Sequence, residues 1–129
     1  MAVIKCFEDI IAWQKTRELA SSIWKLSQVK PFSKDFGLCD QINRAAGSAM
    51  DYTAEGYGRD GNKELLQFLF YAKGSLDEVK SHLYRALDRE HIGESVFHET
   101  TEKHSEAVNV LIGFIKYIKN SNYKGVKYD

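Results

Sequence analysis

Apolar residues recur along this chain at alternating intervals of three and four positions, the spacing that lines one face of an α-helix. The recurrence is most regular at Leu65, Leu69, Ala72, Leu76, Val79, Leu83 and Ala86. Three other segments show the same spacing, so the pattern predicts helices at about 8–28, 34–57, 62–90 and 94–119. The chain has one proline, Pro31, and it lies between the first two of these segments.

The apolar faces of the other three predicted helices follow the same register. They consist of Ala12, Thr16, Leu19, Ile23 and Leu26 in the first helix, Leu38, Ile42, Ala45, Ala49, Tyr52 and Gly56 in the second, and Phe97, Thr101, His104, Val108, Leu111, Ile115 and Ile118 in the fourth. Short connections between amphipathic helices of similar length favour antiparallel neighbours. We therefore predict an all-α fold, a single-domain antiparallel four-helix bundle with up-down-up-down topology.

Residues at the predicted turns supply candidate helix caps. Ser33 is the candidate N-cap of the second helix, with Asp35 placed where a carboxylate favours the helix dipole. Asp60 or Asn62 is the candidate N-cap of the third helix. The second helix is expected to end in a glycine run with positive φ, at Gly56, Gly58 and Gly61.

The second predicted helix carries a polar stripe beside a row of small residues. The stripe contains Gln41, Arg44, Ser48, Asp51 and Glu55. Arg44 and Glu55 share an azimuth but lie roughly 16 Å apart along the axis, so they cannot pair with each other within the helix. They would pair with a second copy of the chain or with neighbouring helices, and the alternative is a solvated face. Excess apolar area on the third helix favours self-association, at Leu66, Phe68, Phe70 and Tyr71.

Charge is balanced over the 129 residues, with 18 Lys and Arg against 18 Asp and Glu, so the net field offers no case for nucleic-acid binding. A local basic and tyrosine-containing segment is the exception, and 120–129 forms its tail. Its candidate nucleic-acid contacts are Lys116, Lys119, Tyr123, Lys124, Lys127 and Tyr128. Lysines neutralise phosphates and tyrosines stack on unpaired bases. The alternative is a solvated tail.

Signatures of catalysis are missing from the sequence. Its four histidines are scattered without metal-ligand spacing, and no serine or cysteine nucleophile has an identifiable base beside it. His104 lies on an apolar face, which predicts a core histidine held by one hydrogen bond. We therefore expect no enzymatic activity, no metal and no cofactor.

The location of the protein is predicted from its thiols and its hydropathy. Cys6 and Cys39 lie too far apart in sequence for a redox or zinc motif. The sequence shows neither a signal peptide nor a run of about 18 apolar residues. We expect a cytoplasmic protein with no membrane partner.

A specific motif runs through the second and third predicted helices. It comprises Phe36, Gly37, Leu38, Gln41, Ile42, Arg44, Ala45, Ala46, Ser48, Ala54, Glu55, Gly56, Gly58, Arg59 and Glu64, continued by Ala72, Gly74, Ser75, Leu76 and Glu78 and preceded by Phe7, Trp13 and Gln14. With this motif the chain resembles the bacterial four-helix-bundle family encoded by intervening sequences of 23S rRNA genes. The similarity covers most of the chain.

The resemblance implies a cytoplasmic homopentamer related to the accessory variability protein of diversity-generating retroelements, which binds nucleic acid and a reverse transcriptase. The implied interface or ligand contacts are Gln41, Arg44, Ser48, Glu55, Gly56 and Arg59. The leading hypothesis is a non-enzymatic homo-oligomer with RNA, DNA or a reverse transcriptase as partner. The alternative is a protein-interaction scaffold that binds no nucleic acid.

Overall fold

Four long helices make up most of the computed structural model, which describes residues 3–121. They are α1 (Ile11–Ser27), α2 (Phe36–Gly58), α3 (Asn62–Asp88) and α4 (Glu94–Lys119), with short 3₁₀ turns at Phe7–Asp9 and Phe32–Lys34. Each helix packs against its neighbours in sequence and α1 packs against α4, while the diagonal pairs make few contacts. Residues 3–121 contain no strand. The predicted all-α four-helix bundle is confirmed.

The core follows the predicted helical faces. All seven apolar positions predicted for the third helix are buried. On the other helices the buried face is wider than predicted, because an α-helix drifts by about 20° per heptad against a strict 3.5-residue repeat. It also takes in Ser27, Thr53, Thr100, Ala107 and Phe114, whereas Leu26, Tyr52, Thr101 and Val108 lie half-buried at its edges.

His104 is the titratable side chain of this core. It is buried in α4, with Nε2 2.7 Å from the carbonyl oxygen of Leu76 in α3. Burial lowers the pKa of His104, so the ring is neutral at pH 7 and its Nε2–H donates to that carbonyl. The prediction of a core histidine held by one hydrogen bond is confirmed.

The predicted caps need correction. Asp35, not Ser33, is the N-cap of α2, and its carboxylate accepts a hydrogen bond of 3.2 Å from the backbone N–H of Leu38. Ser33 lies in the preceding 3₁₀ turn. Gly61 occupies the N-cap position of α3 with φ at 94°, so neither Asp60 nor Asn62 does. Gly56 and Gly58 lie within α2, and Gly61 alone among the three glycines has positive φ.

Asp35 also ties the two connections at one end of the bundle together. It accepts from Arg89 Nη1 at 2.7 Å and from His91 Nε2 at 2.8 Å, and both partners lie in the α3–α4 connection. The His91 ring stacks on Phe32 with centroids 5.5 Å apart. The hydrogen bonds from His91 and Arg89 lower the pKa of Asp35 to about 2. The carboxylate therefore stays charged at any pH near neutrality.

The N-terminal segment closes the opposite end. The Tyr57 hydroxyl in α2 donates to the carbonyl oxygen of Ile4 at 3.3 Å, and Phe7 packs edge-on against Trp13 of α1. Ile4 and Ile10 are buried beneath this turn. None of the helices described is long and apolar enough to cross a membrane.

Candidate interaction surface

The predicted polar stripe of α2 lies along the outer side of its contact with α3. Gln41, Arg44 and Ser48 line one wall of a polar groove of about 480 Å³. The rest of the lining includes Tyr52 and four polar residues of α3, Ser75, Glu78, His82 and Arg85. The structure thus brings half of the predicted contact set to one concave surface.

Arg85 organises this groove. Its Nη1 donates to Gln41 Oε1 at 2.7 Å across the two helices and lies 3.2 Å from Nδ1 of His82. Burial and the adjacent Arg85 guanidinium lower the pKa of His82, so its ring is neutral at pH 7. Nδ1 then accepts from Arg85, and Nε2–H points toward Glu78 at 3.9 Å. These contacts link the side chains of the two groove walls to one another.

Arg44 and Glu55 of the stripe each pair with an oppositely charged residue four positions away in the sequence. Arg44 Nε lies 2.9 Å from Asp40 Oδ2, and Arg59 Nη2 lies 2.7 Å from Glu55 Oε2. Within residues 3–121, Arg44 and Glu55 therefore pair neither with each other nor with the neighbouring helices. The Arg44 side chain is 78% exposed. Exposed pairs four residues apart contribute only about 0.3–0.5 kcal/mol each, so they are readily rearranged by a partner.

Gly56 has a different role from the rest of the set. It is buried, and a Cβ added there would lie 2.7 Å from Cβ of Phe68 and 3.3 Å from Cδ1 of Leu65. The missing side chain lets α2 and α3 approach closely. Gly56 therefore lies within the chain's own α2–α3 contact rather than on its surface.

An aromatic cluster continues the α2–α3 surface beyond the groove. Tyr52 lies 6.2 Å from Phe68 and 5.4 Å from Tyr71, and Phe68 and Tyr71 are 5.6 Å apart. Arg59 covers the Phe68 ring at 4.9 Å, and Tyr71 is 45% exposed. Phe70 points elsewhere, toward Lys119 of α4, whose Nζ is 5.2 Å from its ring. We call Tyr52, Phe68 and Tyr71 the aromatic cluster.

The predicted nucleic-acid contacts are only partly within the described residues. Lys116 and Lys119 are exposed in the last turn of α4, where positive charge favours the helix dipole. Tyr123, Lys124, Lys127 and Tyr128 lie outside residues 3–121. Within that range no group of His, Cys, Asp or Glu has the geometry of a metal site.

The four polar residues that α3 contributes to the groove were not predicted as contacts from the sequence. His82 and Arg85 share one face of α3 at a spacing of three, and Glu78 stands four residues before His82. That spacing is a signal of mutual contact. Nothing in it indicates the partner Gln41, 44 residues away.

Comparison with known proteins supports the relationship that the motif indicated. The family model described as 23S rRNA-intervening sequence protein matches residues 8–113. A crystal structure of a protein with unknown function from the S23 ribosomal protein family of Bacteroides thetaiotaomicron superposes with a TM-score of 0.74. It is 21% identical, and the match covers 81% of this chain and 98% of that chain. At this identity the likeness establishes the fold alone. No curated protein matches the sequence significantly.

Proposed function

The chain belongs to the 23S rRNA-intervening sequence protein family, and we propose that it acts without catalysis, as a self-associating subunit whose α2–α3 face contacts other copies. The observation that carries the proposal is the ordered groove on that face, with the Gln41–Arg85 hydrogen bond across its two walls. A surface whose side chains are already fixed loses less conformational entropy on binding.

The composition of the face supports an interface. Arg44, Arg59, Tyr52 and Tyr71 line or flank it, and tyrosine and arginine are the residue types enriched at interface centres. The exposed ion pairs of the face contribute little to the stability of the single chain. Where a partner excludes water, their attraction becomes stronger, but the cost of removing the charges from water offsets that gain, so the pairs favour one docking register more than they add affinity.

Five copies is the assembly that the family resemblance implies, and we extend the proposal to a homopentamer. Its partner is nucleic acid or a nucleic-acid enzyme such as a reverse transcriptase. Lys116 and Lys119 support this part, because both are exposed near the start of the basic C-terminal segment. In a ring of copies each such cation would be repeated, which raises the field that a phosphate backbone meets.

A protein-interaction scaffold without nucleic acid is the second candidate. The equal numbers of acidic and basic residues, 18 each, favour it, since they leave the assembly no net attraction for phosphates.

Charge reversal on the polar stripe tests self-association. We expect Arg44→Glu to lower the native mass, because it places two acids four residues apart and removes an exposed guanidinium from the proposed interface. Light scattering of the full chain measures the mass. Lys25→Glu, a reversal at an exposed position of α1, is the control and should leave the mass unchanged. An unchanged mass for Arg44→Glu would reject the stripe as a contact.

The nucleic-acid part has its own test. The native protein is isolated from cells and the RNA bound to it is sequenced, and a salt-sensitive gel shift follows with the RNA recovered. Deletion of residues 123–129 is expected to weaken that shift, because it removes two lysines and two tyrosines. Failure of the intact protein to bind nucleic acid would favour the scaffold instead.

A further inference from the structure

An apolar groove of about 640 Å³ opens on the face of the bundle opposite the α2–α3 groove, between the start of α1 and the last third of α4. Ile10, Ala12 and Phe114 form its buried part, and Val3 and Ile11 are 56% and 52% exposed at its edge. The lining also includes Val110 and Gly113 of α4 and, from the N-terminal part of the chain, Ile4, Asp9 and Gln14. We call this concavity the α1–α4 groove.

Gly113 leaves the α4 wall of the α1–α4 groove without a side chain at its position. It is exposed in the interior of α4, and a Cβ added there would meet no atom within 4 Å. A glycine inside a helix costs about 1 kcal/mol relative to alanine. Among the described residues, Gly47 of α2 and Gly74 of α3 have equally open surroundings, so this cost does not distinguish Gly113, and its contribution to the groove is the space that it leaves open.

The aromatic cluster of α2 and α3 lies at the same height as this groove. α3 begins and α4 ends at the same end of the bundle, because the two helices are consecutive and antiparallel. Phe68 and Tyr71 follow the first residue of α3 by six and nine residues. Phe114 and Val110 precede the last residue of α4 by five and nine. At about 1.5 Å per residue, groove and cluster both lie roughly 8–14 Å from that end.

The two surfaces also face in opposite directions. α1 contacts α2 and α4, and α3 contacts α2 and α4, so the α1–α4 pair and the α2–α3 pair are opposite sides of the bundle. Two different surfaces at equal height are compatible with a head-to-tail interface, and such an interface closes into a ring when the rotation between copies permits. An isologous contact, in which the same surface of both copies meets, would not require two different surfaces at equal height.

We propose that the α1–α4 groove receives the aromatic cluster of a second copy of this chain. The inference rests on the self-association proposed above and adds the surface that the α2–α3 face would contact. Aromatic side chains bury about 150–250 Å² each, so the exposed ring of Tyr71 is a suitable occupant for an apolar concavity. Its hydroxyl oxygen already accepts from Gln67 Nε2 at 2.8 Å, and Asp9 and Gln14 in the groove lining offer acceptors for its O–H.

Charge at the two surfaces is complementary. Asp9 lines the groove, and the hydrogen bond from the backbone N–H of Lys5 lowers the pKa of this carboxyl and keeps it ionised. Arg59 covers the cluster and is exposed, although it is also paired with Glu55. Docking would bring Arg59 of one copy near Asp9 of the next, which favours the head-to-tail register.

Two blocking variants of the full chain test the proposal. Gly113→Arg places a charged side chain over the groove, and Tyr71→Arg replaces the exposed ring of the cluster. Each is expected to reduce the native mass to that of the 14.8 kDa chain, a fivefold fall from a pentamer. Ser105→Arg on α4 and Tyr84→Arg on α3 are matched controls at exposed positions and should keep the wild-type mass. Circular dichroism verifies that every variant is folded.

Mixing the two blocked variants distinguishes a head-to-tail contact from other contacts. Each variant retains one intact surface, so the mixture is expected to form a dimer of twice the monomer mass although neither variant does so alone. In a background without native thiols, Cys6→Ser with Cys39→Ser, Gly113→Cys combined with Tyr71→Cys should oxidise to a covalent ladder, and neither thiol alone should. Absence of both the mixed dimer and the ladder would overturn the proposal.

The remaining outcomes separate the two proposals. Wild-type protein that is monomeric would refute self-association itself. An oligomeric wild type with an oligomeric Gly113→Arg variant would leave self-association standing and assign the groove to another occupant, such as a different protein or the C-terminal residues of the same chain. That result would overturn the inference drawn from the groove.

Discussion

Replacing Asp35 by asparagine should destabilise the bundle, by an amount that depends on pH. The carboxylate caps α2 and joins it to the α3–α4 connection through Arg89 and His91. Asparagine keeps the shape and one acceptor oxygen but removes the charge that both partners contact. Asp35→Asn is therefore a nearly isosteric test of whether the charge, and not the packing, holds this end together.

The magnitude follows from the pKa. Folding lowers the pKa of Asp35 from 3.8 to about 2, and that difference corresponds to about 2 kcal/mol. Since the side chain is 22% exposed, we expect a loss of about 1–2 kcal/mol at pH 7. A lowered carboxyl pKa stabilises the fold fully above the unfolded value of 3.8, and that stabilisation is lost as the pH falls through the folded value. At pH 3 about half of it should remain.

Urea unfolding of wild type and Asp35→Asn at pH 7, 5 and 3, at one protein concentration, measures the difference. Asp77→Asn is the control, because it breaks an exposed pair with Lys73 at 3.2 Å and should cost less than about 0.5 kcal/mol. A difference in unfolding free energy that is the same at pH 7 and pH 3 would refute the electrostatic account of Asp35.

Three further changes test the packing and the groove. Gly56→Ala should lower the free energy of unfolding by about 1–3 kcal/mol, because its Cβ would lie 2.7 Å from Cβ of Phe68. Gly74→Ala has nothing within 4 Å of its added Cβ and should raise the free energy of unfolding by about 0.5–1 kcal/mol. Denaturant unfolding in which both variants shift the free energy in the same direction would contradict this. The pKa of His104 is lower in the folded chain than in the unfolded chain, so below about pH 6.5 the unfolded chain binds a proton more readily than the native chain does. The free energy of unfolding should therefore fall between pH 7 and pH 5, and it should fall less in His104→Leu. A double-mutant cycle of Gln41→Ala and Arg85→Ala should give a coupling of about 0.2–1 kcal/mol, and additive effects would show that their 2.7 Å hydrogen bond adds no stability.

The fold could be predicted because its signal is local. The seven apolar positions between Leu65 and Ala86 recur along one helix, and all seven are buried on the face that their spacing predicts. His104 also lies on the apolar face of its helix, so its burial and its single hydrogen bond could be predicted from its position in the repeat. The caps were harder to predict, because a 3₁₀ turn at Phe32–Lys34 moved the start of α2 beyond Ser33.

The surface was predictable only where it belongs to one helix. The stripe on α2 was visible from spacing, but the opposite wall required knowing that α3 brings Arg85 to Gln41 across 44 residues. The link from Asp35 to His91 spans 56 residues and is equally invisible in the sequence. The α1–α4 groove has no sequence signature, because it depends on how the N-terminal segment crosses the end of the bundle.

The native mass of the wild-type chain of 129 residues tests the central claim most directly. Sedimentation velocity or native mass spectrometry, over a range of protein concentrations, should give one species several times heavier than 14.8 kDa, and five times heavier for the proposed pentamer. A single species of 14.8 kDa at every concentration would contradict self-association and would leave the α2–α3 face without the partner proposed for it.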